Sequence, residues 1–172
     1  LHFYRRPLAA CLPYLERAQR EGLATGDFPF VSYTCFTTAQ IRLGLGEELG
    51  AVEQEIEGFL LLMQKTRDIM SEAHLRVAYQ LVRCLRGRTR GNTTLSDRDF
   101  DEAKFEASLR EKNLPFVTSY FHAVHLELAV LFGDYDLAVR VLADADRYVD
   151  VAVAQYFATG VIFRGALVSA IL

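Results

Sequence analysis

Tryptophan is absent from this 172-residue chain, proline occurs only four times and cysteine three times. Few prolines and eleven glycines exclude collagen-like repetition, and 51% hydrophobic with 24% charged residues is too apolar for intrinsic disorder. Cys11, Cys35 and Cys84 are far apart and odd in number, which fits neither a disulfide framework nor a CxxC metal or redox site. Reduced, mostly buried thiols in a cytoplasmic protein are expected. Positive charge is also short: the formal net charge is -3, so the chain lacks the basic surplus that draws a nucleic-acid backbone. No GxxxxGK[ST], GxGxxG, GxSxG or HExxH occurs, so no nucleotide, cofactor or metal is expected.

Long apolar runs are equally scarce. After Arg5-Arg6 there is no hydrophobic core of a signal peptide. The stretch Val151 to Leu172 is long enough to span a bilayer, but Gln155, Thr159, Gly160, Arg164, Gly165 and Ser169 interrupt it. A buried helix with packing partners on both sides is expected there, one of those partners belonging to the rest of the longer polypeptide, and no membrane span. The chain opens at Leu1 and closes inside this apolar run, which reads as one piece of a longer polypeptide.

What is present is helical. No NG or DG hairpin joins alternating β-branched runs, and the apolar stretches are rich in Ala, Leu, Glu, Gln and Arg. About eight helices are expected, near 7–21, 27–43, 47–66, 71–85, 99–112, 114–132, 135–148 and from 151 onward. Gly22 is read as stopping the first and Asp27 as capping the second. In the third, Leu49, Val52, Ile56, Phe59, Leu60 and Met63 form one inward stripe, opposite Glu47, Gln54, Gly58 and Lys65. The second, fourth, sixth and eighth read as more buried, the third, fifth and seventh as more amphipathic. Residues 87–97 read as a flexible insertion, because Gly87 to Thr94 has no apolar side chain.

An internal repeat suggests how the helices associate. Gly133-Asp134-Tyr135-Asp136-Leu137-Ala138 is partly repeated by Asp99-Phe100-Asp101-Glu102-Ala103 and, at its ends, by Gly46 and Ala51. The alanines are 52 and 35 residues apart, the shorter interval being close to the tetratricopeptide period of about 34. Gly46 and Gly133 would end helices, Phe100 and Tyr135 would plug gaps between hairpins, and Ala51, Ala103 and Ala138 would allow close helix approach. The expected fold is all-α: a right-handed stack of antiparallel helical hairpins, a tetratricopeptide-like superhelix forming a single domain over 1–172.

Arg5-Arg6-Pro7-Leu8 with Leu12-Pro13-Tyr14-Leu15, Gly26-Asp27-Phe28-Pro29-Phe30-Val31-Ser32-Tyr33, Leu49-Gly50-Ala51-Val52-Glu53-Gln54-Glu55 and Leu131-Phe132-Gly133-Asp134-Tyr135 follow in order along the chain. This series resembles the helical-repeat region of the very large bacterial multi-domain signalling kinases. Those proteins join a serine/threonine-kinase-like domain, a predicted ATPase, the repeat region, a GAF sensor and a histidine kinase. The resemblance implies a region between ATPase and sensor with no catalytic residues of its own.

Residue chemistry offers a few candidates. His122 and His125 share a face of the sixth helix and could begin a metal site, but no third ligand is evident: Glu127 belongs to another face, and His74 and Cys84 to another helix. With Tyr33 and Tyr120 they are the candidate groove or pocket. Arg83, Arg86, Arg88 and Arg90 form a basic cluster, read as a solvated loop. Asp144, Asp146 and Asp150 miss a calcium loop, with Val149 where Gly is needed and Gln155 where Glu is needed. The expected function is a non-catalytic protein-interaction scaffold, its partner another domain of the same polypeptide or a separate protein. A homodimer through exposed terminal helices is also expected. The alternatives are a small-molecule sensor or the repeat domain of an ATPase-type transcriptional regulator.

Overall fold

In a computed structural model, residues 6–152 and 155–171 are described, and they form two compact units, Leu1–Val82 and Arg83–Leu172. Arg5, Val153, Ala154 and Leu172, which the sequence reading drew upon, lie outside the described residues, as does the side chain of Val149. There are eight α-helices and no strand among the described residues: α1 Leu12–Thr25, α2 Phe28–Gly44, α3 Leu49–Thr66, α4 Ile69–Leu85, α5 Glu102–Glu111, α6 Pro115–Leu131, α7 Tyr135–Arg147 and α8 Tyr156–Ile171. Short 3-10 turns at Leu8–Cys11 and Val149–Ala152 precede α1 and α8.

In the first unit, tight connections pack α1 on α2 and α2 on α3, the arrangement of antiparallel hairpins. Asp27 caps α2 by accepting from the Phe30 amide, and Glu48 caps α3 by accepting from Gly50 and Ala51 at 2.7 Å each. The α3 stripe points inward through Val52, Ile56 and Met63, while Gln54, Gly58 and Lys65 are exposed. Arg42 gathers the carboxylates of Glu47 and Glu55 at 2.8 Å and of Glu16 at 3.7 Å, tying α1, α2 and α3 together. From α4, His74 is fully buried against the Phe36 ring and meets the Gln40 amide at 2.7 Å.

Gly22 does not end α1. The helix runs on to Thr25 and stops at Gly26, whose φ of 76° is the left-handed conformation glycine supplies. Gly22 instead lies where α2 crosses, and an added Cβ would stand 2.7 Å from Val31 Cγ2. Val31 is fully buried and β-branched, so it has little freedom to retreat. Gly22→Ala is therefore expected to destabilise the protein by about 1 kcal/mol, the overpacking cost exceeding the roughly 1 kcal/mol gained in helix propensity. Gly58→Ala, at an exposed site in α3 with nothing within 4 Å of the new methyl, is expected to stabilise by about 0.5–1 kcal/mol. Urea denaturation of both variants measures this reversal of sign.

In the second unit α6 is central: it packs against α5, α7, α8 and the 3-10 turn before α8. This explains its apolar character on nearly every side, since Val117, Phe121, Val124, Leu126, Leu128 and Ala129 are all buried. The α8 helix is covered on one side only among the described residues. Phe157, Val161 and Val168 face inward, and the opposite side is open. The one charge of α8, Arg164, pairs with Glu127 of α6 at 2.9 Å.

Of the positions read as a repeat, the two glycines take the left-handed conformation and several others do not pack as expected. Gly46 and Gly133 have φ of 70° and 72°. Ala138 is fully buried, but Ala51 and Ala103 are exposed and Tyr135 stands at the surface, so close helix approach and gap filling do not describe those three positions. The cause is register. Asp134 caps α7 and Asp101, not Asp99, caps α5, so Ala138 corresponds to Phe105, which packs on Phe121. Phe100 rests on Phe105, with ring centroids 5.0 Å apart.

The segment read as a flexible insertion is folded onto itself. Leu95 is fully buried and Asp97 only 6% exposed. Asp97 accepts from the amides of Asp99 and Phe100 at 2.7 and 2.8 Å and from Arg83 Nε at 2.9 Å. The Arg90 amide donates to the Ser96 carbonyl, and the Cys84 thiol lies 3.2 Å from the Asn92 carbonyl.

Candidate functional site

The four pocket candidates divide between the units. Tyr33, on α2 in the first, is exposed, with its ring edge against Phe36. Tyr120, His122 and His125 are on α6 in the second, turned inward. Tyr120 is buried beside Phe157 of α8, and burial raises its phenol well above the ordinary range.

The two imidazoles face α5. His125 Nε2 lies 3.7 Å from Glu102 Oε2, and His122 Nε2 lies 3.8 Å from Glu106 Oε1. The i,i+4 spacing of the glutamates on α5 matches the i,i+3 spacing of the histidines on α6. Between them Phe121 presents its ring to both histidines, and Tyr148 stacks on His122 at 5.7 Å. Glu102 is already engaged by the Thr94 hydroxyl and the Leu95 amide at 2.8 and 2.6 Å, and Glu106 by Arg110. Burial lowers both histidines, and the neighbouring carboxylates recover only part of that shift. The site therefore offers two neutral imidazoles, each opposite a carboxylate.

Glu102, Glu106, Tyr148 and Asp97 were missed in the sequence. The glutamates carry a signal in their spacing, but which helix they face depends on packing alone. Glu127 is indeed elsewhere, against Arg164. Among the described residues no group of three or more His, Cys, Asp or Glu is placed to hold a metal ion.

The remaining candidates are placed as follows. Arg83 is paired with Asp97, and Arg86, Arg88 and Arg90 follow it into the folded loop. Asp144 approaches Arg147 at 3.5 Å, while Asp146 and Asp150 are exposed. All three cysteines are buried and free of disulfides, and burial pushes the thiols of Cys35, to about 11, and Cys84 upward, which disfavours the reactive thiolate. No helix among the described residues is long and apolar enough to cross a membrane. Comparison with known proteins returned no match: no family model, no curated protein and no solved structure resembles this chain.

Proposed function

We propose that this chain is a non-catalytic, cytoplasmic protein-interaction segment, of the kind that links ATPase and sensor domains in the large bacterial signalling kinases. Its partner is another domain of the same polypeptide or a separate protein, and self-association accompanies it. The observation that carries the reading is the contrast between buried and open aromatic residues. The side chains with chemical potential, His74, Tyr120, His122 and His125, are turned into the units, whereas Phe28, Phe30 and Tyr33 on α2 are 44%, 50% and 42% exposed. Phe30 and Tyr33, three residues apart, share one face of α2, and exposed aromatic side chains are enriched at protein contacts.

Isothermal titration of the chain with purified adjoining domains of its parent polypeptide tests the reading. Saturable binding is expected, and its absence for every adjoining domain would count against the scaffold. One observation favours the sensor alternative: among the described residues His125 Nε2 is buried without a hydrogen-bond partner, and a small polar ligand is one group that would supply it. Metabolite-dependent stabilisation lost in His125→Phe would support that reading instead.

A further inference from the structure

We propose that the outer face of α8 is a self-association surface, on which two copies of this chain pair antiparallel about a two-fold axis between Ala166 and Leu167. The face is continuous. Ile162, Phe163, Leu167 and Ile171 are 67%, 64%, 38% and 53% exposed, and Ala166 and Ala170, also exposed, lie among them. At 3.6 residues per turn these six positions share one side of the helix, opposite Phe157, Val161 and Val168, which pack inward. Like α6, α8 is rich in apolar residues; α6 is covered by neighbours on several sides, whereas among the described residues α8 is covered by α6, α7 and the 3-10 turn on its inner side.

The occupant follows from shape, charge and area. With the axis between Ala166 and Leu167, Phe163 meets Ala170 of the second copy, Ala166 meets Leu167, and Ile162 meets Ile171. Two of the three kinds of contact set a large side chain against a small one, as interdigitating helices require. No charge is brought face to face, because Arg164 is turned inward to Glu127. The same inward turn argues against a lipid surface, since α8 has no other cation to form the basic rim of a membrane-lying helix. Taking the roughly 150–250 Å² of an aromatic side chain as an upper figure for each, the four leave at most about 450 Å² open. Pairing two such faces, with their alanines, covers on the order of 1,000 Å², the lower bound for a specific interface.

The inference rests on the self-association part of the proposed function and is independent of any other partner: the titration above fails without a bound domain, and the present test without a dimer. Sedimentation equilibrium of the full chain between about 1 and 200 µM is expected to show a monomer–dimer equilibrium. Phe163→Glu and, separately, Ile162→Glu are expected to weaken it at least tenfold with unchanged far-UV circular dichroism, both side chains being exposed. Under mild oxidation Ala166→Cys is expected to form a disulfide-linked dimer, and Thr159→Cys, far from the axis, is not. A monomer throughout the range, a dimer that survives both glutamate substitutions, or cross-linking at position 159 in preference to 166 would each overturn the proposal. So would binding of the unaltered chain to phosphatidylcholine vesicles that Phe163→Glu abolishes, which would assign the face to lipid.

Discussion

Asp97→Ala is expected to release residues 87–100 and to destabilise the second unit by about 2–4 kcal/mol. The carboxylate is nearly buried and accepts from the amides of Asp99 and Phe100 and from the Arg83 guanidinium. Removing it strands two backbone N–H groups, each costing about 1–3 kcal/mol if left unmet in the interior, and takes one carboxylate from the part-buried Arg83. Part of that loss is recovered as the freed segment reaches water. Burial alone would raise the Asp97 pKa, but the two amides and Arg83 more than offset it and hold the group below its ordinary value. Asp97→Asn keeps an acceptor for the amides and loses the charge, so an intermediate effect is expected. Amide hydrogen exchange reports the result directly: protection at Asp99 and Phe100 disappears in the alanine variant and is partly retained in the asparagine variant. Unchanged protection in Asp97→Ala would show that the segment is held by other contacts.

His74→Gln is expected to change the acid sensitivity of the first unit. Burial lowers the pKa of His74 from 6.5 to about 3. The contact with Gln40 acts in the same direction, because the Gln40 amide N–H donates to a ring nitrogen that must be unprotonated to accept it. The folded chain thus keeps His74 neutral where the unfolded chain would protonate it. Below pH 6.5 the unfolded state binds one more proton, so this contribution is complete above about 6.5 and is lost as pH falls toward 3. The slope is about 1.4 kcal/mol per pH unit, or about 4–5 kcal/mol over the whole window. His122 and His125 are shifted in the same direction and steepen the acid limb for the second unit. In His74→Gln, urea denaturation at pH 6, 5 and 4 is expected to show a slope shallower by about 1.4 kcal/mol per unit. Identical slopes in the two proteins would mean that His74 ionises equally in both states.

These two residues mark the limits of what was legible in the sequence. Helix class and approximate bounds were readable because their causes are local: Asp27 and Asp134 before helix-forming runs, Gly46 and Gly133 after them, and apolar residues at 3.6-residue spacing in α3. Errors arose where tertiary contact decided. Gly22 looked like a helix stop, and only the passage of Val31 across it shows why glycine stands inside α1. The repeat was displaced by two residues because Asp99 and Asp101 both precede Ala103, and cap geometry alone distinguishes them. Residues 87–94 look solvated because the side chains that organise the segment, Leu95 and Asp97, come after the polar run. For the candidate site, His122 and His125 were legible as a pair on one helix face. Their carboxylate neighbours belong to a helix whose facing side no spacing rule reveals.

The proposed function requires that the inward-facing imidazoles belong to the core and that the open aromatic residues of α2 make the contact with the partner. The most direct measurement is one titration of the adjoining domains against two variants of the chain, Phe30→Ser/Tyr33→Ser and His122→Gln/His125→Gln, each first shown to be folded. At least a tenfold loss of affinity is expected in the first and binding within about twofold of the unaltered chain in the second. Unchanged binding by the first variant, with loss in the second, would contradict the proposed function.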